Sequence, residues 1–443
     1  MMKAGRRSKE MNVKTIKIFC GMLAMLAFTA CSSDNDERAD APRFYNVTLT
    51  ASMGDAETRA LSVDGNVITA TFAQNDEVVV VDADGVTIVG TLKAQSAGES
   101  TTLTGTITGD FAVDEVLTLR YRSATANYDN QVGTLDGIAT GQDYAEGTLK
   151  VKDPNTNPLT FYSNSVTLKA KQSITKFTFK NGSTPVNVKT FGIAAVGLVQ
   201  SIAKDGIETV GAVTGTLSTE ASDVYIALRN KTDAKQTYAF TIQDAAGNWY
   251  ITTKNAKLTN GKNYAVDIAL TPLPTLTSGS AVGTIGVIDK LPAIVLNNTT
   301  AVALMNTGAL CPEDYGTYYT FANRTSGLSN DWYVPTQAEL TSFKGTYTST
   351  WGAPYGVNGR TFTIGSNSLF LPAAGFIDND NDEEQETAYT GKELVSTYGF
   401  YWSQTEATPS SMAYSLQFSS ANINVFSEYE VNALPVRPFH ALN

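Results

Sequence analysis

Histidine is almost absent: among 443 residues there is one, His440. A Ser-His-Asp triad, a Cys-His dyad or a His-based zinc site needs a well-placed imidazole, and a single one speaks against those chemistries. Cysteine is nearly as scarce. Cys20, Cys31 and Cys311 supply no thiolate cluster for zinc or iron–sulfur binding. No Gly-rich nucleotide fingerprint is present, since Gly261-Lys262 lacks the earlier glycine of a P-loop and reads as a turn. Charged residues make up only 17% against 42% hydrophobic, which excludes both a disordered polymer and a multi-spanning membrane protein. These absences point away from an enzyme and leave no expected cofactor or metal. What remains is a chain long enough for two to four domains with sizeable cores.

The first 17 residues carry Lys3, Arg6, Arg7, Lys9, Lys14 and Lys17, followed by an apolar run from Ile18 to Ala30. That run is too short to span a bilayer and has the layout of a signal peptide. It ends in Leu26-Ala27-Phe28-Thr29-Ala30-Cys31, small residues before a cysteine, as a lipoprotein signal peptidase requires. Met11 is an alternative start. Cys31 is therefore the expected lipidation site, and residues 1–30 the expected leader. The next stretch, Ser32-Ser33-Asp34-Asn35-Asp36-Glu37, opens a polar, acidic tether over 31–43. It resembles the signal that sends lipoproteins of the Bacteroidetes to the outer face of the outer membrane. Removing residues 1–30 takes six basic residues and Glu10, leaving 26 basic and 42 acidic side chains. Such a surface repels nucleic acid, which is not an expected partner. With Cys31 acylated, Cys311 is the only free thiol and no disulfide is expected.

From about residue 44 to residue 270, period-two alternation dominates. Val47 to Met53 alternates apolar and polar positions. Val78–Val81 and Val86–Val89 flank the turn Asp82-Ala83-Asp84-Gly85 and read as a hairpin. Leu117, Leu119 and Tyr121 share one face. Val166–Leu168 and Ile174–Phe179 suggest a strand pair. Val224–Leu228 and Tyr238–Ile242 follow, the latter turning through Asp244–Gly247 into Trp249–Ile251, and Asn260-Gly261 turns into Tyr264–Leu270. Many short strands with turn residues between them argue for two antiparallel sandwiches, 44–165 and 166–271. Pro272, Pro274 and the Thr/Ser/Gly stretch that follows read as a connector over 272–280. Beyond it, Thr336 and Glu339 form a capping box that opens a helix with Leu340 and Phe343 on one side. Residues 281–443 are expected to be mixed α+β.

Several pieces of the first half resemble the fimbrillin family, the pilin-like lipoproteins of Bacteroidales. They are Glu57-Thr58-Arg59-Ala60, Tyr128 to Leu135, Asp223 to Leu228, and Gly247-Asn248-Trp249-Tyr250 through Gly261-Lys262-Asn263-Tyr264. The resemblance covers about half of the chain and implies two transthyretin-like β-sandwiches. The remainder resembles the C-type-lectin-like modules of Bacteroidetes surface proteins, through Asp331 to Leu340, Leu371-Pro372-Ala373-Ala374-Gly375, Tyr401 to Thr405, and Pro435-Val436-Arg437-Pro438. Trp332 and Trp402 in those blocks are expected to be packing residues. That fold is shared with formylglycine-generating enzymes, but the lone Cys311 lacks the partner such an enzyme uses.

What the resemblance implies is donor-strand assembly of a fimbrium in cell adhesion. The segment Phe44 to Met53 is the expected leaving strand, an edge segment released by an Arg-specific protease. Arg59 is the expected cut, with Arg38 and Arg43 as alternatives. Neighbouring pilin subunits are the implied partners, through strand exchange, together with outer-membrane lipid on Cys31 and a host glycan or protein at the C-terminal module. The tail, Ala433 to Phe439, is expected to be locked in that module, so that the subunit accepts a strand without donating one and sits at the tip. The alternative is a surface lipoprotein that does not polymerise and binds glycan or protein. Asp378 to Glu384 resembles the start of a calcium loop. Glu383 stands where an EF-hand needs Gly, however, and Tyr389 where it needs Glu, so the run reads as a solvated acidic loop.

Overall fold

The computed structural model describes residues 42–54, 62–64, 67–69, 71–121, 125–329, 331–379 and 392–442. Cys31, Arg38 and Arg59, and the acidic run from residue 380 onward, lie outside them. The described chain is mainly β, and three large apolar cores organise it.

The first core is enclosed by seven strands. Arg43–Met53 pairs with Ser100–Gly109, which pairs with Ile88–Ala94, then Glu77–Val81, Val116–Tyr121, Ala145–Asp153 and Ser165–Ala170, and the last returns to Arg43–Met53. The expected pair of separate antiparallel sheets is thus a closed circuit, in which one join, between Thr50–Met53 and Ser165–Leu168, is parallel. Closure leaves this core without an open edge. The hairpin 77–94 and the buried face Leu117, Leu119, Tyr121 stand as the alternation reads.

The second core is a two-sheet sandwich. Ser173–Asn181 lies between Asp223–Asn230, antiparallel, and Asn263–Ala269, parallel. The facing sheet runs Val213–Ala221, Val188–Ala194, Gln236–Asp244, Trp249–Ala256. Phe177 and Phe240 meet edge to face across the core with centroids 5.2 Å apart.

Two further features of these cores depart from the sequence reading. Val166–Leu168 and Ile174–Phe179 do not pair: the former belongs to the barrel and the latter to the sandwich. A boundary at 165 is also displaced, because the chain crosses between cores more than once. Between two barrel strands, residues 126–144 enter the sandwich. There Ala126–Asn127 pairs with Leu198–Ile202, and Tyr128, Ile138 and Tyr144 join the second core. Gln131 fastens this excursion. Its Nε2 donates to Tyr128 O and Ala227 O, each 2.8 Å, and its Oε1 accepts from Ala227 N at 2.9 Å. Alternation marks a strand's buried face but not which core it enters.

Residues 272–280 are not a free connector. Leu273 N donates to Trp249 O, Leu276 N to Val287 O and Val287 N to Pro274 O, and Leu276 is buried. Beyond them, the described residues of 281–442 are largely β, with one ten-residue helix, Gln337–Thr346. Its N-terminus carries the full capping box between Thr336 and Glu339, and Leu340 and Phe343 face the core. Trp249 of the sandwich is buried in this third core, its Nε1 donating to Lys290 O at 2.8 Å. Nearby, Gly192 lies so close to Cys311 that a Cβ would stand 2.5 Å from the cysteine Cβ. Only glycine permits that approach of strand to loop.

Candidate functional site

The first strand and its groove form the candidate site. Tyr45, Val47, Leu49 and Ala51 point into the barrel and are buried, whereas Phe44, Asn46, Thr48 and Thr50 face outward. Burying the three larger side chains is worth about 5–9 kcal/mol of transfer free energy. Along one side the backbone is in register with Ser100–Gly109 over ten residues, from Arg43 opposite Gly109 to Ser52 opposite Ser100. Along the other, its last four residues pair with Ser165–Leu168. The first half of that second side is closed by a loop: Asn157 Oδ1 accepts from Asn46 N at 2.9 Å, Asn157 Nδ2 donates to Phe44 O at 3.2 Å, and Leu159 N donates to Asn46 O at 3.0 Å.

The strand is therefore an inner strand of the circuit, not the edge segment expected. Its withdrawal would leave two rows of unpaired backbone groups and an apolar cleft, an arrangement costly to leave in water. Arg43 is the first residue of this strand, and Arg38 precedes it in sequence. A cut after either leaves the strand in place, so those alternatives cannot release it. Arg59 follows the strand.

The segment Ala433–Ala441 is held inside its module. Phe439–Ala441 is an inner strand between Thr300–Ala303 and Trp332–Tyr333, and Ala433–Pro435 pairs with Tyr318–Thr320. Arg437, which sequence reasoning saw only as part of a block, anchors it. Buried, its guanidinium donates to Asn306 Oδ1 at 2.9 Å and to Ala303 O and Phe370 O at 3.2 Å. Burial pushes its pKa down to about 10. The same region buries Glu313, whose carboxyl is pushed up to about 7 by loss of hydration, and Cys311, whose thiol burial raises. Cys311 and Glu313 lie two residues apart, and no signal in the sequence brings Arg437 to them.

Trp332 and Trp402 are both buried, the latter donating from Nε1 to Tyr319 O at 2.6 Å, so neither offers a ligand platform. The module's exposed apolar side chains include Phe426, Tyr429 and Val431, on and just after Ile423–Tyr429, the outer strand of a three-stranded sheet. Asp378 and Asn379 open the acidic run. Asn379 Nδ2 donates to Val431 O, and the rest of the run is outside the described residues. Among the described residues no helix is long and apolar enough to cross a membrane.

A family model described as "Domain of unknown function (DUF8237)" matches residues 364–439, inside the C-terminal module. No curated protein matches the chain. Solved structures similar to it include one described as a "putative cell adhesion protein" from Bacteroides ovatus at 15% identity, covering 52% of this chain and 95% of that one, with a TM-score of 0.31. A fimbrial assembly protein from Parabacteroides distasonis covers 51% and 92% at 13% identity and a TM-score of 0.27. The tip fimbrial protein Mfa3 from Porphyromonas gingivalis, truncated at its C-terminus, covers 52% and 96% at 12% identity and a TM-score of 0.29. These neighbours are described as cell-adhesion and fimbrial proteins.

Proposed function

We propose that the chain is a structural and adhesive subunit of a cell-surface fimbrium and stands at its tip. One observation carries the reading, the contrast between two segments. Arg43–Met53 is a single continuous strand whose removal opens a ready-made groove, whereas Ala433–Ala441 is paired and buried within its own module.

Cys31 carries the acyl chain that holds the precursor in the outer membrane. Proteolysis after Arg59 then severs the first strand together with that anchor. A strand from a neighbouring subunit enters by β-augmentation and places apolar side chains where Tyr45, Val47, Leu49 and Ala51 had been. Residues 433–441, paired within their own module, are not free to be donated, which suits a subunit that caps a filament. The C-terminal module meets a host or bacterial glycan or protein through exposed side chains such as Phe426 and Tyr429.

A second reading draws on a different fact. Because the first strand is paired on both sides, the uncut chain is already closed, which suits a surface lipoprotein that binds glycan or protein without polymerising. Co-expression with partner pilins, followed by immunogold imaging, separates the two. Label confined to filament ends is expected. Label along the shaft, or incorporation of an Arg59→Ala chain as efficient as that of the wild type, overturns the tip reading.

A further inference from the structure

The only histidine of the chain is buried, and its surroundings are unusual. His440 Nδ1 lies 2.6 Å from Ala441 O, and Nε2 lies 2.7 Å from Asp289 Oδ2. Both partners are oxygens that only accept. A neutral imidazole donates from one nitrogen and accepts at the other. With Nδ1–H turned to the carbonyl, the Nε2 lone pair confronts a carboxylate, and either a proton or a metal ion must lie between them. Asp331 completes the group: ligand atoms of Asp289, Asp331 and His440 all lie within 4.8 Å of one another. The Asp331 carboxylate makes no hydrogen bond or ion pair among the described residues. Beside them Trp332, 4% exposed, stands edge-on to the imidazole with centroids 4.9 Å apart, and its Nε1 is buried without an acceptor among the described residues.

We propose that Asp289, Asp331 and His440 bind one divalent transition-metal ion of the zinc class. The donor set, one imidazole and two carboxylates, suits zinc and leaves a position for water. The Nδ1–H···O=C bond to Ala441 is the second-shell contact that fixes the tautomer of a metal-bound histidine. The buried indole N–H is a donor with no acceptor among the described residues. Tetrahedral ligands at about 2.0–2.1 Å from zinc stand about 3.3 Å apart, so Asp289 must swing outward by roughly 0.6 Å. It can do so because it lies on an exposed two-residue hairpin turn, Asp289-Lys290, between Ile285–Ile288 and Leu291–Asn297. Both turn residues have positive φ, 42° and 68°, where Asn-Gly is usual. The ion would tie together three segments far apart in sequence and pin the Phe439–Ala441 strand. This inference is independent of the fimbrial reading.

The test uses the untagged full-length chain, stripped with chelator and titrated calorimetrically with ZnCl2 and separately with MgCl2. One zinc per chain is expected, with no displacement by magnesium, and a rise of several degrees in Tm. Asp331→Asn and Asp289→Asn alter exposed carboxylates, so both variants keep the fold. Each is expected to weaken zinc binding at least tenfold and to abolish the Tm shift. Co2+, which fits zinc sites and quenches indole emission, should dim the wild type more than Trp332→Phe. Absence of saturable zinc uptake, or equal affinity in wild type and both Asp variants, overturns the assignment in favour of a proton held between His440 and Asp289.

Discussion

The ring of Tyr45 lies against that of Phe111, with centroids 5.5 Å apart and planes tilted by 46°, and its hydroxyl is sealed in the barrel without a hydrogen-bond partner among the described residues. A buried donor left unmade costs about 1–3 kcal/mol. Tyr45→Phe keeps the ring and removes the orphan, so it should stabilise the uncut chain by about 1 kcal/mol. A urea midpoint that falls would contradict this. In the fimbrial reading, an incoming strand with Phe at this position outcompetes one with Tyr.

Alternation along the same strand makes neighbours unequal. Leu49 is fully inside and Thr48 faces solvent. Leu49→Ala should cost about 2–5 kcal/mol, whereas Thr48→Ala should stay within about 0.5 kcal/mol. Equilibrium unfolding of the two variants in parallel is the check, and equal effects would mean that the strand does not sit in this register.

Arg437 holds the tail through three acceptors, Asn306 Oδ1, Ala303 O and Phe370 O. Arg437→Met fills similar space but leaves Asn306 Oδ1 and two carbonyls without their donor, at an expected cost of at least about 3 kcal/mol. Lysine restores charge but not the fork, so Arg437→Lys should recover only part of it. Limited proteolysis near residues 433–441 should become faster in both variants.

Glu313 provides a pH signature. Its folded pKa, raised by burial to about 7, exceeds the ordinary value of 4.5. The folded state thus binds the proton more tightly than the unfolded one. The contribution is complete below about pH 4.5 and is lost as pH rises through about 7, a change on the order of 3 kcal/mol. Glu313→Gln should remove this slope. Urea midpoints of wild type and variant at pH 5 and pH 8 provide the measurement, and parallel pH profiles would contradict the assignment.

Much of the local structure was legible from residue order. Period-two spacing identified the buried faces of Arg43–Met53 and Val116–Tyr121, and the Thr336/Glu339 pair located the start of the helix at Gln337. Packing roles for Trp332 and Trp402 also followed from their size. Each of these depends on contacts within a few residues, which sequence spacing encodes directly.

Three things depended on the tertiary structure. The barrel closes, making Arg43–Met53 an inner strand. Residues 126–144 leave one core for another. Positions 289, 331 and 440 come within ligand distance. In each case the partners are separated by tens to more than a hundred residues, and backbone hydrogen bonding carries no residue code for which strand pairs with which. Sequence by itself determined which face of each element is apolar. Only the folded chain decided which faces meet, because that choice minimises exposed area over the whole molecule and not over any segment.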